Sequence, residues 1–118
     1  MNVQEAVMAF SQGDKIKAGI IWANQTLAMF TDLSPQELSG AERIVKVLIN
    51  MIANEINLAK RLTKDESWDE VEKNMDMAVV MVNSKMVQES GFHLTQALTH
   101  VTSIAQRAMT VLKDEGVL

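Results

Sequence analysis

Two histidines, His93 and His100, are the side chains of this sequence best suited to chemistry at neutral pH. They stand seven residues apart, which puts both on one side of a helix, on a line that Arg107 and Asp114 continue. Two helical ligands of one metal ion sit three or four residues apart, not seven. The sequence has no HExxH and no Glu-x-x-His pair, and it has no cysteine at all, so thiolate ligation, thiol catalysis and disulfides are excluded. No further ligands converge on the histidines. The expectation is therefore no metal and no other cofactor, with His93 and His100 as boundary residues beside a core stripe.

Glu55 is the second candidate. It falls on an apolar face between Met51, Ile52, Ala59 and Leu62, where a carboxylate must be paired or hydrogen-bonded. Asn24 likewise falls on the core face of the first helical segment. Counting inward from the turns sets Glu55 level with Phe10, Met75 and Arg107, and arginine suits a partly buried carboxylate, so a Glu55–Arg107 pair is predicted. Glu55, Arg107 and Asn24 form the expected set of buried polar residues. One use of Glu55 is as the acid or base of a small-ligand-binding bundle. No second catalytic carboxylate, nucleophile or oxyanion motif accompanies it, and a polar layer that fixes helix register is the plainer reading. The stretch KDESWDEVEK places carboxylates at a helix start, where the helix dipole favours them. Glycine-rich phosphate loops, GxSxG and dinucleotide fingerprints are absent.

The elements that must position these residues are helices. Apolar residues recur at helical spacing throughout, and strand alternation, internal repeats and low-complexity tracts are missing. In TDLSPQE, Ser34 reads as an N-cap, Pro35 as the first helical residue and Glu37 as the closing member of a capping box. Ser67 and Glu70 read as a second box, and Gly91 reads as a boundary between helices. Four helices are predicted, over about 2–30, 35–63, 67–89 and 92–114. Gly13-Asp14 marks the place where the first would kink or break. Short connections make consecutive helices antiparallel, so the predicted fold is an all-α up-down-up-down four-helix bundle, one helical domain over residues 1–118.

A bundle of this size with a helical histidine resembles the histidine phosphotransfer domains in size and fold class. The resemblance implies transfer through His93 or His100. Those domains typically carry a lysine and a glycine just after the histidine. Here the following residues are LTQA after His93 and VTSI after His100.

Composition narrows the partners. The chain is 47% hydrophobic and 22% charged with net charge −4, as expected of a globular protein, and its basic residues form no cluster. Double-stranded nucleic acid and acidic membranes are therefore not expected as partners. With no tyrosine, two tryptophans and three phenylalanines, a stacking platform for single strands is not expected either. The N-terminal stretch lacks the apolar core of a signal peptide and no run is long enough to span a membrane, which with the missing cysteines points to the cytoplasm.

The core stripes leave apolar residues over. In the third segment Met77, Val80, Met81 and Ser84 lie opposite the stripe of Trp68, Met75 and Val82. In the first, Trp22 and Met29 lie opposite Ile20 and Leu27. Contiguous Trp and Met on an outer face imply cover by something else, unless the third helix is central and touches neighbours on two sides. The expectation is a non-enzymatic bundle that acts by protein–protein contact as a homodimer or with another protein, as an adaptor, a chaperone-like protein or an assembly subunit.

Overall fold

The computed structural model describes residues 1–118. It has four helices and no strand: α1 (Val3–Ala28), α2 (Pro35–Thr63), α3 (Trp68–Asn83) and α4 (Val87–Asp114), with a 3-10 turn over Met29–Asp32 after α1. The helices pack in sequence order around a square and α1 closes onto α4, an up-down-up-down bundle measuring 54 × 21 × 18 Å.

Each helix buries residues spaced alternately three and four apart: Ala6, Ala9, Gly13, Ile16, Ile20, Ala23 and Leu27 in α1, and Val45, Ile49, Ile52, Ile56, Ala59 and Thr63 in α2. The rule continues through Trp68, Val71, Met75, Ala78 and Val82 in α3, and through Ser90, Leu94, Ala97, Val101, Ile104 and Ala108 in α4. This is the 3.5-residue rhythm of helices that keep one seam facing inward over many turns. The buried apolar residues make a single cluster of 23.

Helix starts follow the caps. Ser34 and Glu37 form the capping box, with Pro35 in the first turn. The backbone N–H of Ser34 donates to the Glu37 carboxylate, and together with the Ser34 hydroxyl this holds the Glu37 pKa below the ordinary glutamate value. A second full box, Asn2 with Glu5, starts α1. The box expected of Ser67 and Glu70 does not form. The Ser67 N–H donates to Asp65 Oδ1 at 2.8 Å instead, and the hydroxyl accepts from Arg107.

Of the two expected breaks, one does not occur and the other lies elsewhere. α1 runs unbroken through Gly13, whose missing side chain lets α4 come close: a Cβ there would sit 3.4 Å from the Cβ of Ala105. Gly91 lies inside α4, and the α3–α4 turn falls at Ser84–Met86, so α3 ends at Asn83 and α4 starts at Val87. Lys85 supplies the left-handed residue of that turn at φ 62°, and Lys64 does the same after α2 at φ 52°. The Met86 N–H returns to the Met81 carbonyl at 2.8 Å, and the buried Ser90 hydroxyl donates to the Ala78 carbonyl at 2.8 Å, clamping the start of α4 onto α3. A lysine in the left-handed region leaves no glycine signal in the sequence, so the turn was legible only at the next glycine, Gly91.

Candidate interaction face

Glu55 does not meet Arg107. It lies on the side of α2 turned to α1, where Gln12 Nε2 donates to its carboxylate at 3.0 Å and Lys15 Nζ does so at 3.0 Å. These two donors, Gln12 first and Lys15 second, hold the Glu55 pKa below the ordinary range. Arg107 is exposed on α4 near the α2–α3 turn, with Nη2 2.8 Å from Ser67 Oγ and 3.6 Å from Asp65 Oδ2. The bundle is square, so the neighbours of α2 are α1 and α3, and α4 stands diagonally across the core. The predicted pairing fails because Arg107 stands on the diagonal helix and reaches Asp65, ten residues beyond Glu55.

Asn24 is half-buried at the α1–α4 boundary, where its Nδ2 donates to Thr95 Oγ1 at 3.2 Å, so it is not a core residue. Phe10 is on the surface beside Lys17 and Met109. His93 is half-buried, with Nδ1 3.2 Å from Asn74 Oδ1, and its ring meets that of Phe92 edge-on. His100 is half-buried one heptad on. No three side chains among His, Cys, Asp and Glu gather where they could hold a metal ion. Every buried side-chain nitrogen and oxygen has a hydrogen-bond partner, so no buried polar atom waits for a ligand. The main surface grooves are lined by neither histidine and not by Glu55.

What the bundle does present is apolar surface. Trp22 and Met29 of α1 and Ile44, Val47 and Met51 of α2 each leave between 58% and 70% of their surface exposed. They belong to one face. Lys15 reaches Glu55 across the α1–α2 boundary, and the line Lys15, Trp22, Met29 advances one heptad at a time along that flank of α1. Ile44 and Met51 hold the matching flank of α2, with the partly buried Leu48 between them and α1. Gly19 packs against Ile52, where a Cβ would be only 3.0 Å from its Cγ1, so in an antiparallel pair Trp22 comes level with Leu48 and Met51. Met29 then comes level with Ala41 and Ile44. Five side chains this open amount to on the order of 600 Å², the upper end of the largest patch a typical monomer shows.

The α3 residues singled out in the sequence are less open. Asn74 touches His93 of α4, and Met81, one heptad on, continues that line along the α3–α4 boundary. Met77 and Met81 are half-buried, while Val80 and Ser84 are exposed. The methionine ridge is thus partly employed in seating α4. Ile44, Val47 and Met51 escaped the sequence reading. Their signal is the same one found for Trp22 and Met29: apolar residues at 3–4 spacing, set on the side opposite Val45, Ile49 and Ile52.

No known protein family, curated protein or solved structure matches this chain. No helix is long and apolar enough to cross a membrane.

Proposed function

We propose that the protein works by protein–protein contact, not by catalysis, and that the α1/α2 face is its contact surface. One observation carries the reading: Trp22, Met29, Ile44, Val47 and Met51 are large, apolar and exposed on adjoining flanks of two helices, although the bundle already has a full core. Tryptophan and methionine are enriched where a surface receives a partner, tryptophan as an anchor and methionine because it adapts its shape. A net charge of −4 with no basic cluster favours protein over nucleic acid or an acidic membrane as that partner. The lack of cysteine fits a reducing cytoplasm. Met77, Val80, Met81 and Ser84 of α3 offer a second, smaller ridge toward the opposite side of the bundle.

Phosphotransfer through His93 or His100 and ligand binding at Glu55 have less support. His93 is half-covered and engaged with Asn74, and the Glu55 carboxylate is already met by two donors. The test is chemical cross-linking in cells that make the protein, comparing wild type with a Trp22→Glu/Ile44→Glu variant. Wild type should be recovered in a cross-linked complex and the variant as the free chain, both with the same helical circular dichroism. Recovery of both only as the free chain would overturn the reading.

A further inference from the structure

Resting on that reading, we infer that the occupant of the α1/α2 face is a second copy of the chain, held by α2 lying antiparallel against the partner's α2 about a two-fold axis that passes beside Val45 and Lys46.

The exposed stripe of α2 is Gly40, Ile44, Val47 and Met51, spaced four, three and four apart. That order reads the same from either end. A two-fold turn about its midpoint therefore sets Ile44 opposite the partner's Val47 and Gly40 opposite the partner's Met51, the alternating layers of an antiparallel helix pair. The sizes suit those pairings. Ile44 and Val47 are similar branched side chains that fill the two central layers. Gly40 carries no side chain and has open space around its Cβ position, so the long unbranched methionine can lie over the helix there. Gly40, Arg43, Ile44 and Val47 already line one shallow groove on this helix.

Charge agrees with self-association. On the flank turned to α1, the charged Lys15 and Glu55 neutralise each other within one copy. On the other flank, antiparallel pairing sets Arg43 within two residues of the level of the partner's Asn50, a neutral hydrogen-bonding side chain. The two copies of Arg43 stay five residues apart along the helix, and no other like charges meet across the stripe. Lys46, nearest the axis, points the other way and is engaged by Asn83 of α3 at 2.9 Å. Trp22 and Met29 stand beside the stripe and close its α1 edge. The five exposed residues offer on the order of 600 Å² per copy, most of the roughly 800 Å² per partner that a standard stable interface buries.

The test is sedimentation velocity over a wide concentration range, with circular dichroism to check folding. Wild type should sediment as a dimer. Ile44→Glu and Val47→Lys, each placed outside the core, should each fold and sediment as monomers, with the dimer dissociation constant raised at least about a hundredfold by the unpaired buried charge. Mixed in equal amounts, the two variants should form a heterodimer, because the new glutamate then faces the new lysine while Val47 and Ile44 restore the other layer. In a Gly40→Cys/Met51→Cys variant of this cysteine-free chain, oxidation should link the copies covalently. Wild type that stays monomeric at every concentration would overturn the inference. A dimer that survives Ile44→Glu, or variants that fail to rescue each other, would also overturn it. If wild type is monomeric but loses a cross-linked foreign partner on Trp22→Glu/Ile44→Glu, this inference falls and the contact reading stands.

Discussion

The two tryptophans of this molecule are treated in opposite ways. Trp68, at the start of α3, is fully buried, and its Nε1 donates at 3.1 Å to Thr63 Oγ1, whose own hydroxyl donates at 2.8 Å to the Ala59 carbonyl. That relay ties the last turn of α2 to the first of α3. Trp22 sits in the last third of α1 and has no such duty: it is mostly exposed, and its side chain has no hydrogen bond within the chain. Fold stability accounts for the first residue and not for the second. A bundle whose core already closes does not need a tryptophan in water, and the proposed contact face is what would account for Trp22.

The comparison can be broken from either side. The largest effect is expected at the buried ring. Trp68→Ala should lower unfolding free energy by about 3–5 kcal/mol, read by urea denaturation, because it opens a cavity in the core and removes the donor to Thr63. A loss under about 1 kcal/mol would mean that the α2–α3 turn is not anchored there. Next is Arg107 of α4, which reaches the same turn but is exposed. Arg107→Ala should cost no more than about 1 kcal/mol, as exposed pairs do, and not the several expected had it been the sole partner of Glu55.

Glu55 sharpens the contrast through pH. Its folded pKa lies below the unfolded value because Gln12 and Lys15 hold the ionised form. Its stabilisation is therefore complete above the ordinary glutamate pKa and is lost as pH falls through the lowered folded value. Glu55→Gln should be less stable than wild type at neutral pH, with the two stability curves converging on the acid side. Parallel curves would show that the carboxylate is unpaired in solution. A smaller change of opposite sign is expected at Lys64: Lys64→Gly should raise stability by up to ~1 kcal/mol by relieving a side chain held at positive φ. The smallest is at the open ring, where Trp22→Glu should leave thermal stability of the monomer within about 0.5 kcal/mol.

The contrast was only partly legible in the sequence. Ser34, Pro35 and Glu37 announced α2, and the helical spacing of apolar residues such as Val45, Ile52 and Ile56 announced the bundle, because caps and periodicity are local. Trp68 and Met75 could be placed in the core for the same reason. The Lys85 turn was missed because its left-handed residue is not glycine. The Glu55–Arg107 pair was wrong because sequential helices around a square leave α2 and α4 on a diagonal, so residues on their flanks meet α1 and α3 and not each other. The spacing of apolar residues along one helix carries no signal for which flank faces which neighbour. Trp22 and Met29 were visible as surplus, while Ile44, Val47 and Met51 were hidden by their closeness to the core stripe of the same helix.

The most direct measurement is the fluorescence of Trp22 alone, in a Trp68→Phe variant verified as folded, recorded from dilute to concentrated protein. If a second copy covers the α1/α2 face, Trp22 emission should be that of a water-exposed indole in dilute solution. It should shift to the blue along the same concentration curve as dimer formation, and Ile44→Glu should abolish the shift. Emission that stays water-exposed at every concentration would contradict the account.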